Sequence, residues 1–396
     1  MSKSSKALNF VHSATIVLIN LRTLIKLRTL IKLRTLIKPH CGPNRYRNDR
    51  WRRSACRCEG SSSSRASCSV PLQAAGSGDG TRLEGSRVKL FERVLCASDG
   101  VASPAGLVLV SLDSLAALLL GCGCLAVTHA LFTVKATHLA SHNSLADSRL
   151  WSRVWCLFFI EVCGCFPADV AVEEHVKVHH AYTNVLGLGD SSTWRAPFLP
   201  RFVYLFLAPL ALPFITPAVT LGLLLKRPAS SWCSSVRTLA LCALGLGAHF
   251  CWLRFACGFS SAATAAACMY TSRAAFAIPY IHVNVFQHLG LAMFARDSCP
   301  RRLVQMAHGV LNLHRVPVLD VCFGHSLISC HVEHHLFPAL SDHMCLQIKP
   351  LVSSYLKSCG QPYQEASYSN RLRLFVEKYD EFLVHLPPVT HLAGLQ

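Results

Sequence analysis

The fold class predicted by this sequence is all-α: a multi-span helical membrane domain with a histidine-lined metal cap. Three observations carry that reading. Of the 396 residues, 52% are hydrophobic and only 15% charged, whereas an ordinary soluble domain carries about a quarter charged residues. Several apolar stretches approach or exceed the ~20 residues a helix needs to cross a bilayer core. Beside them stand three histidine clusters: His138-Leu-Ala-Ser-His142, His175-Val-Lys-Val-His179-His180 and His331-Val-Glu-His334-His335.

The clusters point to a metal. Neutral imidazole offers a lone pair at physiological pH and is the commonest metal ligand among side chains. Residues three or four apart share a helix face, so each cluster can aim its rings at one centre. Eight imidazoles are too many for one zinc, which takes four ligands. They suit two larger ions that keep an open position, with iron the leading candidate. A single H-x-x-x-H is more often a chance surface pair. Three clusters, two ending in His-His and all flanking apolar stretches, are not.

Along the chain, residues 1–100 read as a low-complexity, disordered leader and residues 101–396 as the folded domain. Leu-Arg-Thr-Leu-Ile-Lys occurs in tandem at 21–26, 27–32 and 33–38. A six-residue period rotates by about 120° per copy on an α-helix, so no single face persists. From Pro39 to about Gly85 the chain is rich in Arg, Ser, Gly and Cys and lacks a core. A mitochondrial presequence is a second reading of this region. The net charge of +18 sits mostly here: residues 1–95 hold 19 basic and 5 acidic residues, and the remainder 20 and 16. The nearly balanced body excludes a nucleic-acid binder, and the basic leader suits a solvated tail or contact with anionic lipid.

Leu112–Val134 is long enough to span, and Leu107–Val110 before it either starts a partner helix or extends this one. Trp151–Val170 carries Arg153, Glu161 and Asp169 and reads as interfacial or buried rather than a free span. Phe202–Leu225 contains Pro209, Pro213 and Pro217, which would break a straight helix, so a hairpin or re-entrant segment is expected there. Thr238–Leu253 and Phe255–Ile281, the latter burdened by Arg273, are then the full spans. In all, about four membrane helices are expected besides re-entrant or interfacial ones. A polar tail from 339 carries a helix near Arg371–Leu386. The 20 cysteines include no C-x-x-C pair, and most lie in apolar stretches as small hydrophobes. Reduced thiols facing the cytosol fit best.

The three boxes, in this order, resemble those of the membrane-bound fatty acid desaturase superfamily. Cys330-His331-Val332-Glu333-His334-His335-Leu336-Phe337-Pro338 is close to its third box, and His175 to Trp194 resembles its fatty acid desaturase 6 subgroup. The resemblance covers about 101–396 and implies a cytosolic cap housing a di-iron centre, on an endoplasmic reticulum membrane protein. It implies two iron ions held by His138, His142, His175, His179, His180, His331, His334 and His335. Through Asn284-Val-Phe-Gln-His288-Leu-Gly it also assigns His288 as a ninth nitrogen ligand, with Asn284 holding a bound water. His282 competes for that role. Three residues separate His175 from His179, where many relatives have two. No His-Pro-Gly-Gly haem motif is present, so the resemblance implies electrons from a separate carrier, cytochrome b5 with its reductase.

The activity implied is insertion of a double bond into a lipid- or CoA-linked fatty acyl chain with O2. Removing hydrogen from an unactivated methylene is cofactor chemistry that the protein orients and shields, and ligation by imidazole alone adds no negative charge. Carboxylates near the boxes (Glu173, Glu174, Asp190, Glu333 and Asp342) are candidates for fixing imidazole tautomers. Lys177 and Arg201 are either membrane-edge anchors or contacts for an acyl carrier's phosphates. A hydroxylase on the same scaffold has the same ligands. A metal transporter would need ligands at the membrane midplane, and a non-catalytic metal-binding adaptor would be expected to have lost some.

Overall fold

The computed structural model describes residues 99–379 except 147, 187, 189–198 and 298; the leader through residue 98 and Asp190 therefore lie outside the described residues. The first described element is helix α1 (Asp99–Val110). A tight turn at Ser111–Ser114 folds α1 back onto α2 (Leu115–Ser141), so Leu107–Val110 ends a partner helix. Small residues allow the close approach: a Cβ on Gly121 would lie 2.6 Å from Val110 Cγ1. α2 is 27 residues long; at 1.5 Å per residue that is about 40 Å, more than the ~30 Å hydrocarbon core. The excess length carries His138 to the membrane face.

α3 (Arg149–Cys163) and α4 (Ala168–His179) meet at a 110° bend. α3 starts just after the first histidine box and α4 ends in the second, so the pair leaves the histidines and returns to them. Cys165 takes a left-handed backbone at the bend (φ 55°), and Pro167 caps α4. The Thr220 hydroxyl donates to Cys165 O over 2.7 Å. The element expected at Trp151–Val170 to be interfacial or buried is this bent pair.

The expected hairpin at Phe202–Leu225 is instead one continuous helix, α5 (Val203–Leu225), long and apolar enough to cross a membrane. Its prolines do not break it because they fall where the winding changes. Pro209 lies in the first turn of a tighter 3₁₀ segment and Pro213 in the first turn of the α-helix that follows, positions where a missing N–H costs nothing. Only Pro217 is interior. α6 (Ala229–Ala256) is the next candidate span and contains the expected Thr238–Leu253. Phe255–Ile281 is not one unbroken helix. It is cut by a loop at 257–261 and a break at 275–276 into α7 (Ala262–Ala274) and α8 (Ala277–Phe286). By length and composition α2, α5 and α6 can each cross, with the bent pair as a possible fourth. Leu115, Leu119, Phe214, Leu225, Leu244 and Trp252 on them are exposed, as lipid-facing side chains are.

The cap follows α8: α9 (Arg302–Gly309), strand β1 (Asn312–Leu313), α10 (Pro317–Phe323), α11 (His331–Leu336), α12 (Asp342–Ser358), strand β2 (Glu365–Ala366) and α13 (Tyr368–Glu377). Met306, Val332, Leu336, Ile348, Val352 and Leu356 form its core. β1 and β2 pair in parallel through Asn312–Glu365 and Leu313–Ala366. α13 begins three residues before the expected Arg371, capped by Ser367 Oγ accepting from Asn370 N over 3.1 Å. Its Phe375 joins Phe286, Leu313 and Phe323 in the core that seats the cap on α8. No disulfide joins the cysteines among the described residues.

α6 rests on α3 at Gly245, where a Cβ would lie 1.8 Å from Val162 O; at Gly247 it would meet nothing within 4 Å. We expect Gly245→Ala to lower stability by about 1–3 kcal/mol, the usual range for overpacking, and Gly247→Ala to leave it unchanged. Thermal midpoints of the purified proteins decide this, and equal midpoints for the two variants would contradict the packing described.

Candidate metal centre

Nine imidazoles from four segments converge into two adjacent groups. His138, His142, His175, His180 and His334 form one, and His179, His288, His331 and His335 the other; within each group the candidate ligand atoms all lie within 4.8 Å of one another. His138 occupies the last turn of α2 and His142 follows it. His288 sits in the turn after α8. The two groups touch through His180 and His335, whose ring centroids are 4.4 Å apart.

The expectation that each box serves a single centre is corrected by the winding of the helices. The end of α4 is wound as a π-helix, with His180 N donating to His175 O over 3.2 Å, a bond spanning five residues. That winding brings His175 and His180 to one group and turns His179 toward the other. In α11, an ordinary α-helix, His331 and His335 share a face as four-residue spacing requires. His334, one position earlier than His335, projects about 100° away from it and joins the first group. The second and third boxes therefore each contribute to both groups.

The ring nitrogens that meet are Nε2 atoms. In the first group His142 lies 3.0 Å from His175 and His180 lies 3.1 Å from His334. In the second, His288 lies 2.9 Å and His335 3.2 Å from His331. Two of these tautomers are fixed by the backbone: His331 Nδ1 faces Ser326 O at 3.0 Å and His288 Nδ1 faces Gly309 O at 3.3 Å. A carbonyl only accepts, so each Nδ1 carries the proton and each Nε2 presents a lone pair. Two lone pairs aimed at each other across 2.9 Å repel unless a cation lies between the rings. Burial, with neighbouring imidazoles adding to it, pushes His142 down to about 3. Burial also takes His331 to about 3 and holds His180, His288, His334 and His335 well below the ordinary range. The rings are thus neutral donors. His138 Nε2 is buried with no hydrogen-bond partner. This donor set fits metal ions that accept imidazole.

The surrounding contacts redistribute the roles expected of the carboxylates. Ser326 serves both groups: its carbonyl holds His331, and its hydroxyl lies 3.4 Å from His138 Nδ1 while donating to Asp342 Oδ1. Asp342 therefore acts on His138 through Ser326. It fits against Gly324, whose φ of 89° and lack of a Cβ (one would lie 2.3 Å from Asp342 Oδ2) leave room for the carboxylate. Glu333, fully buried, contacts no imidazole in the way expected. It accepts from Tyr363 Oη over 2.6 Å and from Asn312 Nδ2 over 3.0 Å, and Asn312 Oδ1 accepts from Val332 N over 2.8 Å. Burial raises the Glu333 pKa while those two bonds oppose the rise. The network fixes α11. Glu173 pairs with Lys177 at the surface, and Glu174 is exposed at the cavity edge.

Other expectations resolve similarly. His282, the competitor of His288, is committed elsewhere: Nδ1 to Tyr368 Oη at 2.5 Å and Nε2 to Leu205 O at 2.9 Å. Arg201 donates to Val376 O over 2.8 Å, tying α13 to the start of α5. Asn284 Nδ2 donates to Tyr280 O over 2.7 Å, which occupies one of its two N–H donors. Three contributors were missed. Thr183 Oγ1 lies 3.2 Å from His335 Nδ1, Arg302 donates to the His180 and His335 carbonyls, and Ser326 has the roles given above. Thr183 stands four residues after His179, a spacing that could have flagged it; Ser326 and Arg302 belong to no motif.

A cavity of about 520 Å³ opens onto the histidines. His138, His175, His179, His288, His331 and Asn284 line it at the cap, while Val134, Ile160, Phe166, Leu212, Ile215, Val219 and Phe276 form apolar walls between the helices. Volume and lining suit a narrow apolar ligand with one segment beside the imidazoles.

A profile of the Fatty acid desaturase family matches residues 114–367. The chain is 52% identical over 294 residues to human "Fatty acid desaturase 6", covering 74% of this chain and 82% of that protein. Bovine and mouse proteins of the same name are 53% and 50% identical over 296 residues, each alignment covering 75% of this chain and 86% of the relative.

The network around α11 can be tested without metal chemistry. Asn312→Ala removes two donors and one acceptor from buried partners, and we expect a loss of about 1–3 kcal/mol in stability. Tyr363→Phe, which removes two bonds (its donation to Glu333 and its acceptance from Asn312 Nδ2) where Asn312→Ala removes three, should cost less. Melting curves of both variants check the order, and an Asn312→Ala protein as stable as wild type would contradict this account.

Proposed function

The chain belongs to the fatty acid desaturase family, a membrane-bound enzyme family, and on that premise we propose that it is a di-iron desaturase of fatty acyl chains. We assign one ion to His138, His142, His175, His180 and His334 and the other to His179, His288, His331 and His335. The observation that carries this reading is the convergence of nine imidazoles at one end of a cavity with apolar walls. Bound iron would supply oxygen activation, which no side chain here can provide. In balance, one –CH2–CH2– unit, O2, two electrons and two protons give –CH=CH– and two waters.

The chain's own residues do the rest. The apolar walls hold the acyl chain extended against the histidines and exclude water. Ser326 O and Gly309 O keep His331 and His288 in the tautomer that presents Nε2. Thr183 and Ser326 Oγ orient His335 and His138, and α2 supplies the length that brings the first box to the membrane face. Electrons come, in this proposal, from a separate carrier, cytochrome b5 with its reductase. The protein resides in the endoplasmic reticulum with the boxes facing the cytosol, and its substrate is lipid- or CoA-linked.

Expression in desaturase-deficient yeast with fatty-acid profiling tests the reaction. A new monounsaturated species, lighter by two hydrogens and absent from the His334→Ala strain, is expected. No new species in any lipid class would count against it, and a product gaining oxygen would redirect it to hydroxylation. Metal analysis tests the ligands separately: we expect about two irons per chain, since each ion claims its own imidazole set, and a clear loss in His334→Ala. Equal iron in both proteins would overturn the assignment.

A further inference from the structure

The cavity that meets the histidines at the cap contains a cation at its other end. Arg273, near the end of α7, lines it together with His129 of α2. His129 lies nine residues before His138, about 13 Å along the helix axis, which places this end well inside the bilayer's span of α2. A charged side chain at that depth is costly and marks a functional site by default.

Arg273 is poorly satisfied. Its Nε is buried with no hydrogen-bond partner. Its Nη2 reaches only Cys163 O at 3.4 Å and Cys165 Sγ at 3.7 Å. Other arginines near the spans are paired: Arg227 takes both oxygens of Asp169 at 2.6 and 2.7 Å, and Arg237 meets buried Glu161 at 3.0 Å. Among the described residues no carboxylate faces Arg273. Propping the α3–α4 bend would account for one weak bond but not for a forked cation left open to a ligand cavity. A methyl terminus would gain nothing beside it. A carboxylate would, because the guanidinium fork matches its two oxygens and the surroundings exclude competing water.

We infer that Arg273 binds a chain-terminal carboxylate of an acyl ligand in this cavity. This rests on the reading of the cavity as the acyl site. The carboxylate has two possible sources: C1 of an unesterified fatty acid, or the far end of a dicarboxylic chain esterified at its other end. Both put the same group on the same cation.

Binding to the purified, iron-loaded protein tests the inference. Hexadecanoic acid is compared with its methyl ester, and hexadecanoyl-CoA with the CoA thioester of hexadecanedioic acid. In at least one pair the ligand with the free carboxylate should bind about ten- to a hundredfold tighter, the scale of a charge-assisted bond, and which pair shows it identifies the source. Arg273→Gln should abolish the preference with iron content unchanged. Peptide-resolved modification of Arg273 by phenylglyoxal needs no variant and serves if Arg273→Gln does not fold: carboxylate ligands should suppress it and esters should not. No carboxylate preference in either pair, a preference that survives Arg273→Gln, or equal labelling with acid and ester would overturn the inference. Normal double-bond formation without carboxylate preference would sink this inference alone, whereas preference without any oxidised product would sink only the desaturase reading.

Discussion

Neutral imidazole lone pairs are brought together more closely than they tolerate on their own, and the rest of the structure is arranged around that repulsion. Burial keeps the rings uncharged, and backbone carbonyls at Ser326 and Gly309 fix which nitrogen carries the proton. The Nε2 atoms of His288 and His331 are then left facing each other at 2.9 Å. Only a cation relieves that contact. The cap, with Glu333, Asn312 and Tyr363 locked beneath α11, supplies the rigidity that keeps the rings in place. A metal site in which several ligands' other nitrogens are already engaged, as at His138, His288, His331 and His335, costs less reorganisation on binding.

The membrane part contributes position rather than ligands. α2 is longer than a bilayer core requires, so the first box emerges where the cavity meets the cap. The bent α3–α4 pair leaves the first box and returns the chain to the same place. The cavity therefore reaches from the histidines in among the helices, with apolar walls between its two polar ends. A transporter's ligands would sit midway along its spans. The nitrogen groups here lie at one end of α2.

Much of this was legible in the sequence. Composition gave the membrane class, and the three boxes gave eight of the nine imidazoles that converge; the ninth, His288, came through resemblance around Asn284. Helical periodicity misled in two places. The second box was read at 3.6 residues per turn, but α4 closes with π-winding, so His175 pairs with His180 rather than His179. The prolines of α5 were read as breakers, yet two of them coincide with changes of helical winding and are absorbed. Ser326, Thr183 and Arg302 were not legible, because a hydroxyl or guanidinium acquires its partner from the tertiary fold and leaves no local pattern. Glu333 was legible as a candidate for fixing a ring tautomer, but its partners are Tyr363 and Asn312 rather than a ring.

Iron-edge anomalous scattering from crystals of the iron-loaded protein tests the central claim most directly. The account predicts two peaks, one among His138, His142, His175, His180 and His334 and one among His179, His288, His331 and His335. A single peak, or iron bound away from these groups, would contradict it.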